Sequence, residues 1–343
     1  MNRLKILLAA TACALPVLLS ACSGGSAGAS GSAVTIGYEN NGSVDPAQAA
    51  MSLGLYQEYM HGKVKLVYFD SGPAALTALG SGDVDIMTGI GNPPVASAMA
   101  TKVPLSVVWA EELGQTDQAL IVKKDSGVST VPDLAGKQVA TVEGSTSAYA
   151  LAAVLKKAGV AEKAVTVRNM DPQTLLTAWT KGQVSAAYIW HPVLGKLLAK
   201  DAVKIADNTD VVDTAPIYNL SIVNSDWAAD NAGLVRQFIQ AQDQGVEQLR
   251  ANKAVTLAKM RKDTSETPAE SRIAAASTKS FSAAHQLDPE ALGPDDSHSL
   301  VRTSLLAASQ YLNAIDPSKP VLKPSEITID RSFVKAYLKK ANG

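Results

Sequence analysis

The chain has 343 residues, 46% of them hydrophobic, and its 31 basic residues nearly balance its 32 acidic ones. That length suits a leader followed by two domains of ordinary size, and the near-neutral charge gives no field favouring nucleic acid or an anionic membrane surface. Only two cysteines occur, Cys13 and Cys22, so no disulfide framework is expected to hold the folded part.

Arg3 and Lys5 open the chain, residues 6–19 are almost wholly apolar, and Leu19-Ser20-Ala21-Cys22 follows. A basic start, a short apolar run and small residues at a cleavage point make residues 1–21 a secretory leader, too short to span a bilayer stably. The Leu-Ser-Ala-Cys ending resembles a bacterial lipobox, which implies that Cys22 becomes the lipidated first residue. Acyl chains contribute ~0.8 kcal/mol per buried methylene, so the expected membrane contact is this anchor alone. Residues 22–33 form a Gly/Ser/Ala tether with a root-mean-square reach of roughly 17 Å. Loss of the leader leaves 29 basic against 32 acidic residues, a net charge of −3.

Residues 34–38 read as a first buried strand, followed by a polar loop and a helix over 46–60, with Asp45 in capping position and Pro46 in the first turn. VKLVYF (64–69), a turn at Asp70, a short helix and the strand in DVDIMTGI lead to a loop ending in Pro93. Asn92 caps a helix ending near Lys102, and LSVVWA (105–110) is another strand. Residues 120–127 and the turn at Pro132-Asp133 lead into a second half, where KQVATVE (137–143) mirrors the first strand. Gly144-Ser145-Thr146-Ser147 then precedes a helix ending Lys156-Lys157-Ala158-Gly159, with hydroxyls and basic residues at the ends that the helix dipole favours. After a strand at 203–208, IYNLSIV (217–223) returns. The remainder reads as helices over 226–251, 252–263, 268–283, 298–315 and 330–341.

One unit occurs twice. Residues 64–93 and 165–192 each read strand, Asp turn, short helix closed by Gly (Gly82, Gly182), strand, and polar loop ending in Pro (Pro93, Pro192). Two copies are too few for a solenoid. They predict an α/β protein of two similar lobes, each a doubly wound mixed sheet with polar loops at strand C-terminal ends, where open α/β sheets bind ligands. Lobe 1 is expected over 34–118 and 220–343, lobe 2 over 119–219, with a two-stranded hinge near 117–120 and 216–220.

Enzyme and metal signatures do not occur. His61, His191, His285 and His298 are scattered, with no HExxH pair, Walker A sequence, GxGxxG or GxSxG elbow. The neighbours Glu111-Glu112 and Asp295-Asp296 read as solvated surface. The reading is therefore a binding protein without catalytic residues, cofactor or metal. The candidate ligand residues lie in the strand-end loops: Ser43 and Asp45, Gly91 and Asn92, Ser145, Thr146 and Ser147, Trp190, then Tyr218 and Asn219. Three of these loops run into helix starts, whose free N–H groups and dipole favour an anion by ~0.3–1 kcal/mol each. Hydroxyls at 145–147 and the Asn92 amide are expected to add donors, so the ligand is a small anion or zwitterion held between the lobes.

Phe69-Asp70-Ser71-Gly72, Leu79-x-Ser81-Gly82-Asp83-Val84-Asp85-Ile86, Gly89-x-Gly91-Asn92-x-Pro94, Ser145-Thr146 and Ala187-Tyr188-x-Trp190-x-Pro192 resemble the taurine- and alkanesulfonate-binding proteins and lipoproteins. The likeness covers about 34–223 and continues more loosely to the C-terminus. Asp171-Pro172-x-x-Leu175-x-x-Ala178-Trp179 is most similar to the taurine-binding branch. The resemblance implies a two-lobed class II periplasmic-binding-protein fold that closes on a small sulfonate. It further implies an ABC permease with its ATPase as partners, a monomer, and a location in the periplasm or on the cell exterior. It places Asn92 where the family usually has Ser, and Asp45-Pro46-Ala47 where the taurine branch has Glu-Pro-Ala. Asn219 stands where that branch carries Asp, a counter-charge for an ammonium, and Asn cannot supply that charge. Either Asp45, Glu39 or Asp117 takes over, or the ligand is another small molecule, such as nitrate or a pyrimidine precursor. A ligand-sensing lipoprotein is a further reading.

Overall fold

The computed structural model describes residues 33–39, 44–69, 71–114, 116–264, 267–276 and 278–341. The leader, Cys22, nearly all of the tether and Ser43 lie outside the described residues. The strands are β1 (Val34–Glu39), β2 (Val64–Phe69), β3 (Ile86–Gly91), β4 (Leu105–Gly114), β5 (Gln118–Lys123), β6 (Gln138–Thr141), β7 (Thr166–Asn169), β8 (Ala186–Trp190), β9 (Ala202–Asp207), β10 (Ile217–Asn224) and β11 (Thr278–Ser280). They form two sheets, ordered β11-β4-β10-β3-β1-β2 and β7-β6-β8-β5-β9.

The two sheets repeat one plan. In each, the first strand lies between the second and third in parallel pairing, β1 with β2 and β3, β6 with β7 and β8. Beside the third strand sits an antiparallel one, β10 in the first sheet and β5 in the second. These two strands follow the crossings of the chain, so each lobe is completed by a strand that enters from the other. The repeated unit seen in the sequence occupies equivalent places, β2 to β3 and β7 to β8. Both of its helices, Gly72–Ser81 and Pro172–Thr180, are followed by a left-handed glycine, Gly82 at φ 81° and Gly182 at φ 72°.

Strands covered on both faces have no polar alternation. In β5, Ala119 and Ile121 enter a cluster with Trp179, Leu175, Ile189 and Leu194, whereas Leu120 and Val122 join the main core on the other face. Each buried Leu, Ile or Val among them contributes about 1.5–3 kcal/mol. In lobe 1 the long helix Ala232–Ala251 packs on Pro46–Leu53, and Leu300–Ile315 packs on Asn92–Ala100. Among the described residues no helix is long and apolar enough to cross a membrane.

Four local expectations are corrected. The helix expected over 46–60 breaks at Gly54, φ 73°, into Pro46–Leu53 and Leu55–Tyr59. The helix expected over 226–251 breaks at Asn231 into Ser225–Asp230 and Ala232–Ala251. The stretch 268–283 is helical only over Pro268–Ala274, because β11 pairs with the outer edge of β4 and Phe281 is buried beside it. Gln118 already belongs to the second sheet, and Ile217–Asn219 to the first.

Candidate functional site

At the strand ends, Glu39, Ser71, Gly72, Gly91, Pro94 and Asn219 of the first lobe line a cavity. They share it with Asp117, Gln118, Val142, Ser145, Thr146 and Trp190 of the crossing and second lobe. Its free space is about 430 Å³, counting the open mouth. The lobes approach closely at Gly91, where an added Cβ would lie 2.5 Å from Cγ2 of Thr146. Only a residue without a side chain permits that contact.

Of the residues expected to bind a ligand, Gly91, Ser145, Thr146, Trp190 and Asn219 line this cavity, and Asp45, Asn92, Ser147 and Tyr218 do not. Ser145 caps the helix Thr146–Lys157: its Oγ accepts from the Ala148 N–H at 3.3 Å and donates to the Val142 carbonyl at 2.6 Å. Thr146 Oγ1 and Ser147 Oγ both hydrogen-bond Gln118, at 2.9 and 2.7 Å. All three hydroxyls are thus engaged within the protein. What remains is the first turn itself. The N–H groups of Thr146 and Ser147 have no acceptor within their helix, and the dipole there favours an anion.

Asn92 is engaged at both ends of its amide. Its buried Nδ2 donates to the Pro216 carbonyl and its Oδ1 accepts from the Tyr218 N–H, both at 3.2 Å, so the side chain pins the returning crossing to lobe 1. Pro93 and Pro94 lack N–H groups, so this helix start offers few donors. Tyr218 is fully buried and donates its hydroxyl to the Glu290 carbonyl at 2.6 Å. Asp45 is the buried cap of Pro46–Leu53, accepting from the Gln48 N–H at 2.6 Å. Lobe 1 opens another helix start on the cavity, that of Gly72–Ser81. Its N-cap Ser71 makes no side-chain capping bond, and Ser71 and Gly72 both face the cavity. A sequence signal for it exists, a Ser before Gly72 and Pro73, but it reads like any other cap.

Among the described residues, the ionisable side chains that line the cavity are Glu39 and Asp117, both acidic. Glu39 Oε1 is buried without a hydrogen-bond partner among the described residues, although the residue as a whole is only half-buried. Burial pushes its carboxyl from 4.5 up to about 8. Asp117 is 4% exposed and its Oδ1 accepts from Asn208 Nδ2 at 3.1 Å. Burial raises it to about 6, with hydrogen bonds from Gln118 and Asn208 among the opposing effects. Of the three candidates for a counter-charge, Glu39 and Asp117 line the cavity and Asp45 does not.

Glu111 and Glu112 are both fully buried, which overturns the solvated-surface reading. Adjacent residues on a regular strand face opposite ways, but the register of β4 against β10 shifts between Asn219 and Leu220. Glu111 Oε1 accepts from the Ser221 hydroxyl at 2.6 Å, the Gly89 N–H at 2.9 Å and the Thr88 hydroxyl. Glu112 Oε1 accepts from Asn219 Nδ2 at 2.6 Å. Asn219 and Ser221 share a face of β10, so the irregularity turns two consecutive carboxylates to one side. Asp295 and Asp296 are exposed, paired with His298 and with Arg302 and Arg331.

The family profile described as NMT1/THI5 like matches residues 49–254. The taurine-binding periplasmic protein of Escherichia coli strain K12 is 33% identical over 210 residues, 61% of this chain and 63% of that protein. The chain thus spans less than two thirds of this curated relative's length. Among solved structures, the alkanesulfonate-binding protein SsuA of Xanthomonas axonopodis pv. citri bound to MOPS superposes with a TM-score of 0.71. It is 22% identical, over 88% of this chain and 99% of that one. The periplasmic aliphatic sulphonate binding protein SsuA of Escherichia coli gives 0.69 at 24% identity, over 86% and 92%. At these identities the likeness establishes the two-lobed binding-protein fold.

Proposed function

The chain belongs to the NMT1/THI5-like family, and from that premise we propose that it is the substrate-binding component of an ABC importer for a small zwitterionic sulfonate, taurine or a near relative. The carrying observation is the mixed polarity of the cavity. Backbone N–H groups at helix starts suit an oxyanion, while the acidic side chains in the lining, Glu39 and Asp117, suit a cation that ionises them. A simple anion such as nitrate would face ionised Asp117 and offer no cation to draw Glu39 into its ionised form. The taurine- and sulfonate-binding relatives support the same ligand class.

In this reading the sulfonate accepts from the Thr146 and Ser147 N–H groups, the ammonium lies against Glu39 and Asp117, and Trp190 packs on the short chain. Charge-assisted bonds contribute about 1.5–3 kcal/mol each, so three near the top of that range, with the packing of Trp190, reach micromolar affinity, about −8 kcal/mol. Because Glu39 and Thr146 belong to different lobes, the ligand stabilises the closed arrangement selectively, and the permease recognises closure. The protein acts as an exported monomer tethered through lipidated Cys22.

Calorimetry at pH 7 with taurine, ethanesulfonate and nitrate tests the ligand. Taurine should bind at least about tenfold tighter than ethanesulfonate, with proton release as the ammonium draws Glu39 into its ionised form. Equal binding of all three, or binding of none, overturns the reading. Labelling with a palmitate analogue tests the anchor, since Cys22→Ala should abolish incorporation.

A further inference from the structure

Asn219 lies in the middle of a row across the first sheet, opposite Glu112 on β4 and opposite Gly91 on β3. Side chains at directly opposed positions share a face and lie about 5 Å apart. On one side, Glu112 takes the Asn219 Nδ2 N–H at 2.6 Å. On the other, Gly91 has no side chain, which leaves the amide open toward the cavity that both residues line. A carboxamide carries its donor and its acceptor on opposite branches. With Nδ2 held by a carboxylate, Oδ1 points away from the wall. Among the described residues no group donates to that oxygen, and it is not among the fully buried atoms lacking a partner. The 6% exposure that Asn219 retains is cavity-facing.

We infer that Glu112 determines ligand specificity through Asn219: by holding the amide nitrogen it fixes the carbonyl oxygen as the group presented to the ligand. The wall at this point is then an acceptor. It favours a ligand bearing an amino group and rejects a second oxyanion, although residue 219 itself carries no charge. Glu112 is a positioning residue that never touches the ligand. A fixed acceptor discriminates because the wrong ligand leaves it buried and unpaired. This inference rests on the proposed zwitterionic ligand.

The test compares taurine with ethanesulfonate, which differ only in the amino group, in the full chain and in Glu112→Gln and Asn219→Leu. A neutral amide at position 112 accepts either orientation of the Asn219 amide, so Glu112→Gln should lower the preference for taurine at least fivefold while ethanesulfonate affinity holds or rises. Asn219→Leu should lower that preference further. Equal weakening of both compounds means a merely structural role and overturns the inference. Side-chain amide exchange in the unsubstituted chain, read by NMR, provides a second measurement independent of variant folding. Asn219 Nδ2 protons held by Glu112 should be protected with and without taurine, and rapid exchange overturns the assignment. If the chain binds neither compound, the ligand reading has failed, and the exchange measurement on the free chain still decides the orientation.

Discussion

The helix starts after the first and second strands of each lobe are equivalent, and the two lobes open opposite ones. The helices after the first strands, Pro46–Leu53 and Thr146–Lys157, begin at Asp45 and Ser145; those after the second strands, Gly72–Ser81 and Pro172–Thr180, begin at Ser71 and Asp171. The two Asp starts are closed. Asp45 accepts from the Gln48 N–H, and exposed Asp171 from the Gln173 and Thr174 N–H groups at 3.1 and 2.9 Å. The two Ser starts line the cavity. An acid cap takes first-turn N–H groups on its own oxygens, Asp171 with its carboxyl held below the usual range and buried Asp45 with its carboxyl pushed well above it by burial and Glu111, whereas the two hydroxyl caps stand at the cavity. A duplicated architecture is thus made into one two-sided site by choosing which start in each copy bears the acid.

The lobe 1 start differs from its partner in one respect: Glu39 Oε1 lies 3.3 Å from where a Cβ on Gly72 would be. The largest effect should come from this carboxyl. A group whose folded pKa is raised from 4.5 to about 8 supports the fold fully below the lower value and less as pH rises to the upper one. Ligand-free stability should therefore fall between these limits, by about 4 kcal/mol from this group, and Glu39→Gln should flatten the fall in denaturant titrations at pH 5, 7 and 9. Asp117 should add a smaller decline below about pH 6.

Closing the lobe 2 start with an acid should have the next largest effect. Ser145→Asp preserves the cap, adds a negative charge beside the sulfonate, and should weaken taurine about 100-fold, roughly 2.7 kcal/mol, with little change in melting temperature. Gly91→Ala should prevent Thr146 from seating against β3. A tenfold loss of affinity, about 1.4 kcal/mol, and larger dimensions by small-angle scattering in the presence of taurine are expected. Unchanged scattering and affinity would show that this contact does not govern closure. Removing the acid from the closed start in lobe 2, Asp171→Ala, should cost about 1 kcal/mol of stability and leave calorimetric affinity unaltered.

Much of this was legible in the chain. Period-2 and period-3.6 patterns with Gly and Pro punctuation predict the strands, and the repeat predicts two matching sheets, because these are local signals. The Asp45 cap was also legible, since a cap is settled within three residues. The donors of the site were less so. Asn92 looks like a donor until Pro216 and Tyr218, more than 120 residues away, take both ends of its amide. The hydroxyls at 146 and 147 look free until Gln118 crosses to them. Glu111 and Glu112 read as surface because nothing local announces the shift in register that buries both.

By itself the sequence determined the elements, the duplication and the chemical kinds of residue at the strand ends, because propensity, periodicity and capping act over a few residues. Only the tertiary structure decided which helix starts are open, which acids line the cavity and which polar groups are already satisfied. Those outcomes depend on partners brought together from distant parts of the chain, and on burial, which moves Glu39 and Asp117 far from their behaviour in water.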